Sequence, residues 1–312
     1  MPPELPPYSV VIPVFNGERY VRRAVESVLA QTVPAAEVLV VDDGSTDASA
    51  DLAALGGRVR VLKHPTNRGL PAARNTGIAA AATGLIALLD SDDTWDADKM
   101  ARQLPVFAAR PDVAAAFCDF RAVDVRGEKL GWQGGTLNRV AKHGIAFEPV
   151  AGDALLLVGS TTEALIRETS FIHVSSIVVR RAAFDAAGFF DVSYRYAEDL
   201  EMWLRLSAVG RMAYVDRNLV AIEVRPDSMG HQTATMAKFL TDLYATLPAR
   251  FPDAAPETRR AVAAFLKREY AGLAWHHRER GDRTLARDYY HRSLAAGWSL
   301  RTFVGFLRSY TR

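Results

Sequence analysis

Five consecutive apolar residues, Leu85 to Leu89, run from Gly84 straight into Asp90-Ser91-Asp92-Asp93. A strand without polar alternation is buried on both faces, the pattern of a parallel sheet covered by helices. Three carboxylates within four residues repel one another, so something positive should hold them. A divalent cation bridging to a phosphate answers that need, because hard Mg²⁺ or Mn²⁺ prefers oxygen ligands and keeps positions open for substrate phosphates. A solvated acidic turn before a helix from Asp96 is the other reading of the same residues.

The unit repeats upstream. Ser9 to Phe15 reads as a strand ending at Asn16-Gly17, and Tyr20, Val21, Ala24, Val25, Val28 and Leu29 then share one helical face. Glu37 to Val41 is a second buried strand, ending in Asp42-Asp43-Gly44-Ser45. A helix is expected from Asp47 to Leu55, a third strand from Arg58 to Leu62, and a helix from about Pro71 to Ala82. Residues 8–93 thus alternate β-α-β-α-β-α-β, which predicts a doubly wound, mostly parallel α/β sheet with right-handed crossovers.

Downstream, a helix from Asp96 turns Met100, Leu104 and Phe107 inward, and Val113 to Phe120 is a further strand. Residues 124–170 are Gly-rich and read as an insertion or mobile loop beside a site. Ser175 to Arg180 resumes regular structure. A short helix stops at Gly188, a helix from about Asp199 to Val209 stops at Gly210, and Arg211 to Val215 and Leu219 to Val224 close the sheet. From about Thr235 the pattern is helical throughout, so the chain divides into an α/β domain, 1–234, and an all-helical C-terminal extension, 235–312. Ala271 to Asp282 with Ala286 to Ala295 resembles one helix-turn-helix unit of the tetratricopeptide kind, turning at Gly281-Asp282; helices packing on the main domain are the alternative.

Composition limits the classes. Hydrophobic content of 49% and charged content of 24% are ordinary for a globular protein. No apolar run approaches the roughly 18–20 residues that span a bilayer. Met1-Pro-Pro-Glu-Leu-Pro-Pro lacks the basic and apolar regions of a signal peptide. Cys118, in an apolar run, reads as a buried structural thiol. These features lead us to expect a cytoplasmic protein. Residues 236–312 carry 14 Lys/Arg against 7 Asp/Glu, and residues 1–235 carry 24 against 29, so a +7 tail follows a −5 body.

Ligands of open α/β sheets bind in the crevice at the carboxyl ends of the strands. Phe15-Asn16, Asp42-Asp43 and Asp90 to Asp93 all fall there, and unpaired buried carboxylates are costly. Neither G-x-x-x-x-G-K-[ST] nor a G-x-G-x-x-G after the first strand is present, which argues against a nucleotide hydrolase or a dinucleotide oxidoreductase. The crevice asks for a metal and an anionic ligand.

The order of six segments resembles glycosyltransferase family 2: Val10-Val-Ile-Pro-Val-Phe-Asn16, Ser27-Val-Leu-Ala-Gln-Thr32, Glu37-Val-Leu-Val-Val-Asp-Asp-Gly-Ser-Thr-Asp47, Asn67-Arg-Gly-Leu-Pro-Ala-Ala-Arg-Asn75, Leu88-Leu-Asp-Ser-Asp-Asp93 and Glu198-Asp-Leu-Glu-Met-Trp-Leu-Arg205. The resemblance covers about residues 8–230 and implies a GT-A nucleotide-sugar-binding catalytic domain. Its implied activity is a metal-dependent, inverting transfer from a nucleotide-diphosphate sugar to a hydroxyl of a glycan or lipid-linked acceptor. Acceptor contacts would come from residues 124–175 and the helix of Glu198. No nucleic-acid partner is expected.

The resemblance also implies roles. Pro13 and Phe15 would flank the nucleotide base, with Asn16 in the same donor site. Asp43 would accept from the base's imide N–H, favouring uracil or thymine. Asp42 suits a ribose role, or equally a turn before Gly44. Arg74 and Asn75 would lie near the diphosphate, a salt bridge to the acid cluster being the rival for Arg74. Asp92 and Asp93 match the metal-binding acids of the family's D-x-D element, one on the cation (Mn or Mg) and the other reaching the ribose or sugar; Asp90 would be turned into the strand end. Bound metal would offset charge on the departing nucleoside diphosphate. Asp199 is the candidate general base, kept ionised by its helix N-terminus, although Asp is also a good N-cap. One base with no spare nucleophile implies single displacement.

One segment departs from the family. An aromatic-Arg-x-His-x-x-Ser element is common after the last strand, whereas here Ile222-Glu-Val-Arg-Pro-Asp-Ser228 puts Glu223 for the arginine and Arg225 for the histidine. Arg225 would still grip a phosphate. His173, His276 and His277 lack ligand spacing with the acids. A nucleotidyltransferase, or a catalytically weak sugar-nucleotide-binding or scaffold module, are the alternatives. The basic tail suits either an anionic membrane surface, which would put the protein at the inner face, or packing and homodimerisation of the helices.

Overall fold

Valine-rich segments build the centre of the sheet. In the computed structural model, which describes residues 5–310 other than 56, 125, 134, 169–170 and 225–232, strand β1 (Tyr8–Val14) is buried along its whole length. It pairs in parallel with β2 (Glu37–Asp42) and, on its other side, with β4 (Leu85–Leu88); β3 (Val59–Lys63) adds to β2. Helix α1 (Val21–Leu29) buries Val21, Ala24, Val25 and Val28, and α2 (Leu70–Ala80) covers β1. Gly77 of α2 has a packing reason, since a Cβ there would lie 2.3 Å from Val11 Cγ1.

The segment expected as an α-helix from Asp47 is instead a 3₁₀ helix, Ala48–Leu55. Asp47 accepts from the Ser49 N–H and hydroxyl (3.0 and 2.5 Å) and from the Glu18 N–H, and Ser49 Oγ accepts from Gly17 N–H. These local bonds compete with an α-helical start and tie the segment to the loop after β1.

The second half of this unit adds β5 (Thr94–Trp95), α3 (Lys99–Ala109), β6 (Val113–Val123), β7 (Lys129–Gln133), α4 (Thr136–Ala141), β8 (Ala146–Ala151), β9 (Ala154–Val158), α5 (Thr161–Glu168), β10 (Val178–Arg180), α6 (Arg181–Ala187), α7 (Glu198–Val209) and β11 (Arg211–Glu223). The sheet order is β3-β2-β1-β4-β10-β6-β11-β9-β8. It is mostly parallel, with β10 inserted antiparallel between β4 and β6. Two expectations need correction. Residues 124–170 carry regular elements, not an irregular insertion: β8 and β9 form an antiparallel hairpin that extends the sheet through β11. Gly159, at φ +117, lets the chain turn where a Cβ would stand 3.0 Å from Gly144 O. The two closing strands are one, β11, with its register against β6 shifted between Val215 and Asn218.

Residues divide into two compact units, Met1–Pro226 and Asp227–Arg312. The second holds α8 (Thr233–Arg250), α9 (Pro256–Glu279), α10 (Arg283–Ala296) and α11 (Leu300–Arg308), so the break expected at 235 falls inside α8. Asp282 caps α10 through Leu285 N–H and Ser299 caps α11 through Thr302 N–H. Tyr270, Leu273, Ala274, Tyr289 and Tyr290 form its core. No helix among the described residues is long and apolar enough to cross a membrane.

Candidate active site

Strand β4 delivers its acids to the carboxyl end of the sheet. Asp93 N–H donates to Asp90 O (3.1 Å), closing a turn. Ser175, fully buried, organises that turn from the segment before β10. Its Oγ accepts from Asp90 N–H (3.1 Å) and donates to Asp93 Oδ2 (2.5 Å), and its carbonyl accepts from the Trp95 indole (2.7 Å). Asp93 is only 2% exposed. Burial, then the charges of Asp92 and Asp90, push its carboxyl well above the usual range, against the Ser175 hydroxyl and the Glu223 N–H. Glu223 itself pairs with Arg23, the partner that its place in the departing segment hides.

His173 lies beside this cluster, although among the described residues it forms no metal-holding group with the acids, as its spacing led us to expect. Its Nδ1 lies 3.7 Å from Asp93 Oδ2 and accepts from Ser175 N–H at 3.3 Å. Burial, opposed by Asp90, brings its pKa down to about 4, so the imidazole is neutral at pH 7. Distance along the chain misleads here because β10 folds back beside β4.

Arg74 of α2 is the clamp of the site. Its guanidinium, 1% exposed, donates to Asp90 Oδ1 (2.8 Å) and to Glu198 Oε1 (2.7 Å), with the Phe190 ring 5.3 Å away. Burial alone would lower its pKa, but Asp90 and Glu198 raise it, so the charge stays. The salt bridge to the acid cluster is therefore what the geometry displays for Arg74. Its Nε is buried without a hydrogen-bond partner. Asn75 is engaged too, both ends of its amide bonding the Phe190 backbone at 2.8 and 2.9 Å. One Nδ2–H of the amide remains beyond these two bonds.

Through Glu198, Arg74 fixes the head of α7. Leu200, Trp203, Leu204 and Leu206 anchor that helix in the core, while Ala197 before it takes a positive φ of 60°. Asp199 follows, half-buried, its Oδ1 accepting from Leu200 N–H at 2.7 Å. Burial first and the Glu198 charge second push its carboxyl up to about 7, outweighing Arg74. The helix N-terminus expected to keep it ionised is thus opposed by desolvation beside a like charge.

The ends of β1 and β2 lie at the same side of the sheet. Pro13 is buried in β1, Phe15 is 49% exposed, and Asn16 sits at φ +49° with Oδ1 accepting from Thr46 N–H. A Cβ on Gly17 would lie 3.5 Å from Ser91 Oγ, so this loop and the acid turn are neighbours. Asp42, buried, accepts from Ser45 N–H (3.0 Å) as a turn former does. Asp43, also buried, accepts from Arg68 N–H and Gly69 N–H at 2.9 and 2.8 Å and bonds His64 Nδ1 at 2.6 Å. The motifs pass over His64 and Ser175, set His173 aside, and contain Glu198 without giving it the Arg74 contact. A polar His173-Val-Ser-Ser176 run directly before a buried strand was the available signal. Arg225 lies outside the described residues.

A family model described as glycosyl transferase family 2 matches residues 9–174. The succinoglycan biosynthesis protein ExoO of Rhizobium meliloti is 32% identical over 216 residues, covering 68% of this chain and 59% of its own. The uncharacterized glycosyltransferase EpsJ of Bacillus subtilis is 30% identical over 240 residues, 72% of this chain and 63% of its own. The chain thus spans less than two thirds of the length of these relatives. TarS of S. aureus, solved with UDP-GlcNAc, superposes with a TM-score of 0.66 at 16% identity, covering 97% of this chain and 89% of that one, a likeness of fold.

Proposed function

We propose that the chain, which belongs to glycosyl transferase family 2, moves a sugar with inversion from a nucleotide-diphosphate sugar to a hydroxyl of a glycan or lipid-linked acceptor in the cytoplasm. The observation that carries the reading is Asp199: a half-buried carboxyl pushed up to about 7, on a helix that Arg74 ties to the acid cluster. A base with a pKa near the working pH takes a hydroxyl proton most effectively. Arg74 and Glu198 position it, and Asn75 holds the Phe190 segment against the Arg74 face.

Asp92 and Asp93 are the residues we assign to a divalent cation, Mn²⁺ or Mg²⁺. The donor set suits one, since hard cations are commonly held by one or two carboxylates plus substrate phosphates. Burial first, and then repulsion from Asp92 and Asp90, raises the Asp93 carboxyl, and bound positive charge would relieve the repulsive part. Among the described residues no group of three or more His, Cys, Asp or Glu is arranged as a complete metal cage, so the remaining ligands in this reading are diphosphate and water. When bound, the cation would supply electrostatic stabilisation of the leaving diphosphate. Phe15 and Pro13 would flank the base, with Asn16 beside them. Asp43, fixed by three donors, has a lone pair left for an imide N–H, and Asp42 would serve the ribose. Likeness to TarS, solved with UDP and with UDP-GlcNAc, supports a uracil base over others. Arg225 is assigned to the diphosphate by sequence alone.

Nucleoside diphosphate release from a panel of UDP- and dTDP-sugars, with Mn²⁺, with Mg²⁺ and with chelator, tests the reading. Cation-dependent release that is lost in Asp199→Asn supports it. Absence of both turnover and thermal stabilisation with every nucleotide sugar and either cation overturns it.

A further inference from the structure

Helix α11 wears its apolar residues on the outside. Leu300, Phe303, Val304 and Leu307 follow the i, i+3, i+4, i+7 spacing of one face, and all four are exposed, Leu300 at 63%. The face turned to the core is Thr302, Gly305 and Ser309 with the partly buried Phe306, and a Cβ on Gly305 would stand 2.8 Å from the Tyr290 ring. A helix folded against a core in water normally has the opposite arrangement. Trp298 before the helix, Tyr310 after it and Trp275 on α9 extend the exposed aromatic surface.

Beside this stripe lies a groove of about 1040 Å³ whose lining includes Lys267, Arg268, Arg278, Arg301 and Arg308 and, among the described residues, no acid. Arg268 and Arg278 pair with the adjoining Glu269 and Glu279, and Lys267 donates to Trp298 O at 2.9 Å. Residues 297–310 contain two arginines and no carboxylate. An exposed apolar stripe with aromatic ends and a cationic flank is the composition of a helix lying in a membrane interface. Two copies meeting through this face would bring like charges together, which disfavours a second chain as its occupant.

We propose that this face of the C-terminal unit docks on an anionic phospholipid surface, with the α11 stripe at the acyl boundary and the groove cations at the phosphates. Flotation of the full chain with phosphatidylcholine vesicles, with and without phosphatidylglycerol, tests it, because the readout is binding and stands whether or not sugar transfer is found. Recovery is expected with anionic vesicles at low salt. It should fall steeply as the Debye length shrinks from about 10 Å at 0.1 M to about 3 Å at 1 M. Phe303→Asp with Leu307→Asp should weaken binding by roughly tenfold or more, with circular dichroism and melting unchanged. Arg301→Glu with Arg308→Glu should abolish the preference for anionic lipid. Equal recovery with neutral and anionic vesicles, recovery with neither, or wild-type flotation of the apolar variant would each overturn the proposal. A dimer dissolved by that variant, without vesicle binding, would assign the face to a second copy.

Discussion

Replacing Arg74 by methionine keeps most of the stem's volume and removes the guanidinium between Asp90 and Glu198. Both bonds it makes are short, 2.8 and 2.7 Å, and the guanidinium is almost wholly buried. Breaking a buried pair by deleting one partner costs about 3–5 kcal/mol, because the other charge stays desolvated. Asp90's side chain keeps 24% exposure, so water screens part of its charge and the low end applies, about 3 kcal/mol. At 2–4 °C per kcal/mol for a unit of this size, melting should fall by about 6–12 °C. A second readout separates this site from an ordinary core defect. The Arg74 charge lowers the pKa of Asp199 while burial and Glu198 raise it to about 7. Without Arg74 the base should lose its proton only at higher pH, so the rising limb of turnover against pH shifts upward from about 7. Melting by differential scanning fluorimetry and turnover across pH 5.5–9 would be compared with wild type. An Arg74→Met protein with wild-type melting and an unmoved limb would refute the reasoning, showing that neither the pair nor its field matters.

Asp199→Asn keeps size and capping but removes the base, so turnover should fall by about 10² or more with the donor's KM little changed; near wild-type turnover would reduce Asp199 to a helix cap. Asp93→Asn removes a carboxyl whose folded pKa is raised, a burden present above the unfolded value near 3.9 and relieved as pH falls towards it. The metal-free variant should therefore melt at or above the wild type at pH 7.5, while losing any stabilisation by Mn²⁺ with UDP; retained cation-dependent stabilisation would exclude Asp93 as a ligand. Gly77→Ala should destabilise by about 1–3 kcal/mol through overpacking on Val11, and adding Val11→Ala should recover part of that in urea melts, strict additivity being the contrary result.

The sheet was legible because its strands are continuous apolar runs. Val10 to Val14 and Val38 to Val41 have no polar alternation and emerge buried on both faces, and the polar residues after them land together at one edge. Helix α7 was legible for a similar reason, since Leu200, Trp203 and Leu204 mark a face. The 3₁₀ turn at Ala48–Leu55 was not, because Asp47 and Ser49 decide it by side-chain bonds that periodicity does not register. Strand β10 has three residues, and its antiparallel place between β4 and β6 is set by tertiary pairing. His173 and Ser175 reach the acid turn only through that placement. The outward stripe of α11 was hidden for a different reason: an apolar periodicity gives a face but not the direction in which it points.

The second partner of Arg74 was equally out of reach, since Glu198 lies 124 positions away in sequence. Once it is known, the charges of the crevice fall into order. Asp90 bonds Arg74 directly, and its charge also raises the carboxyls of Asp93 and Asp199 and supports the proton affinity of His173. Arg74 works against two of these effects, lowering both Asp199 and His173. The acid at the strand end, which motif comparison leaves with the least to do, is thus electrically connected to the proposed cation ligand and to the proposed base. An amide at Asp90 would keep a hydrogen bond to Arg74 yet lessen the repulsion felt by Asp93 and Asp199, the smaller part of a rise in which burial is the largest cause.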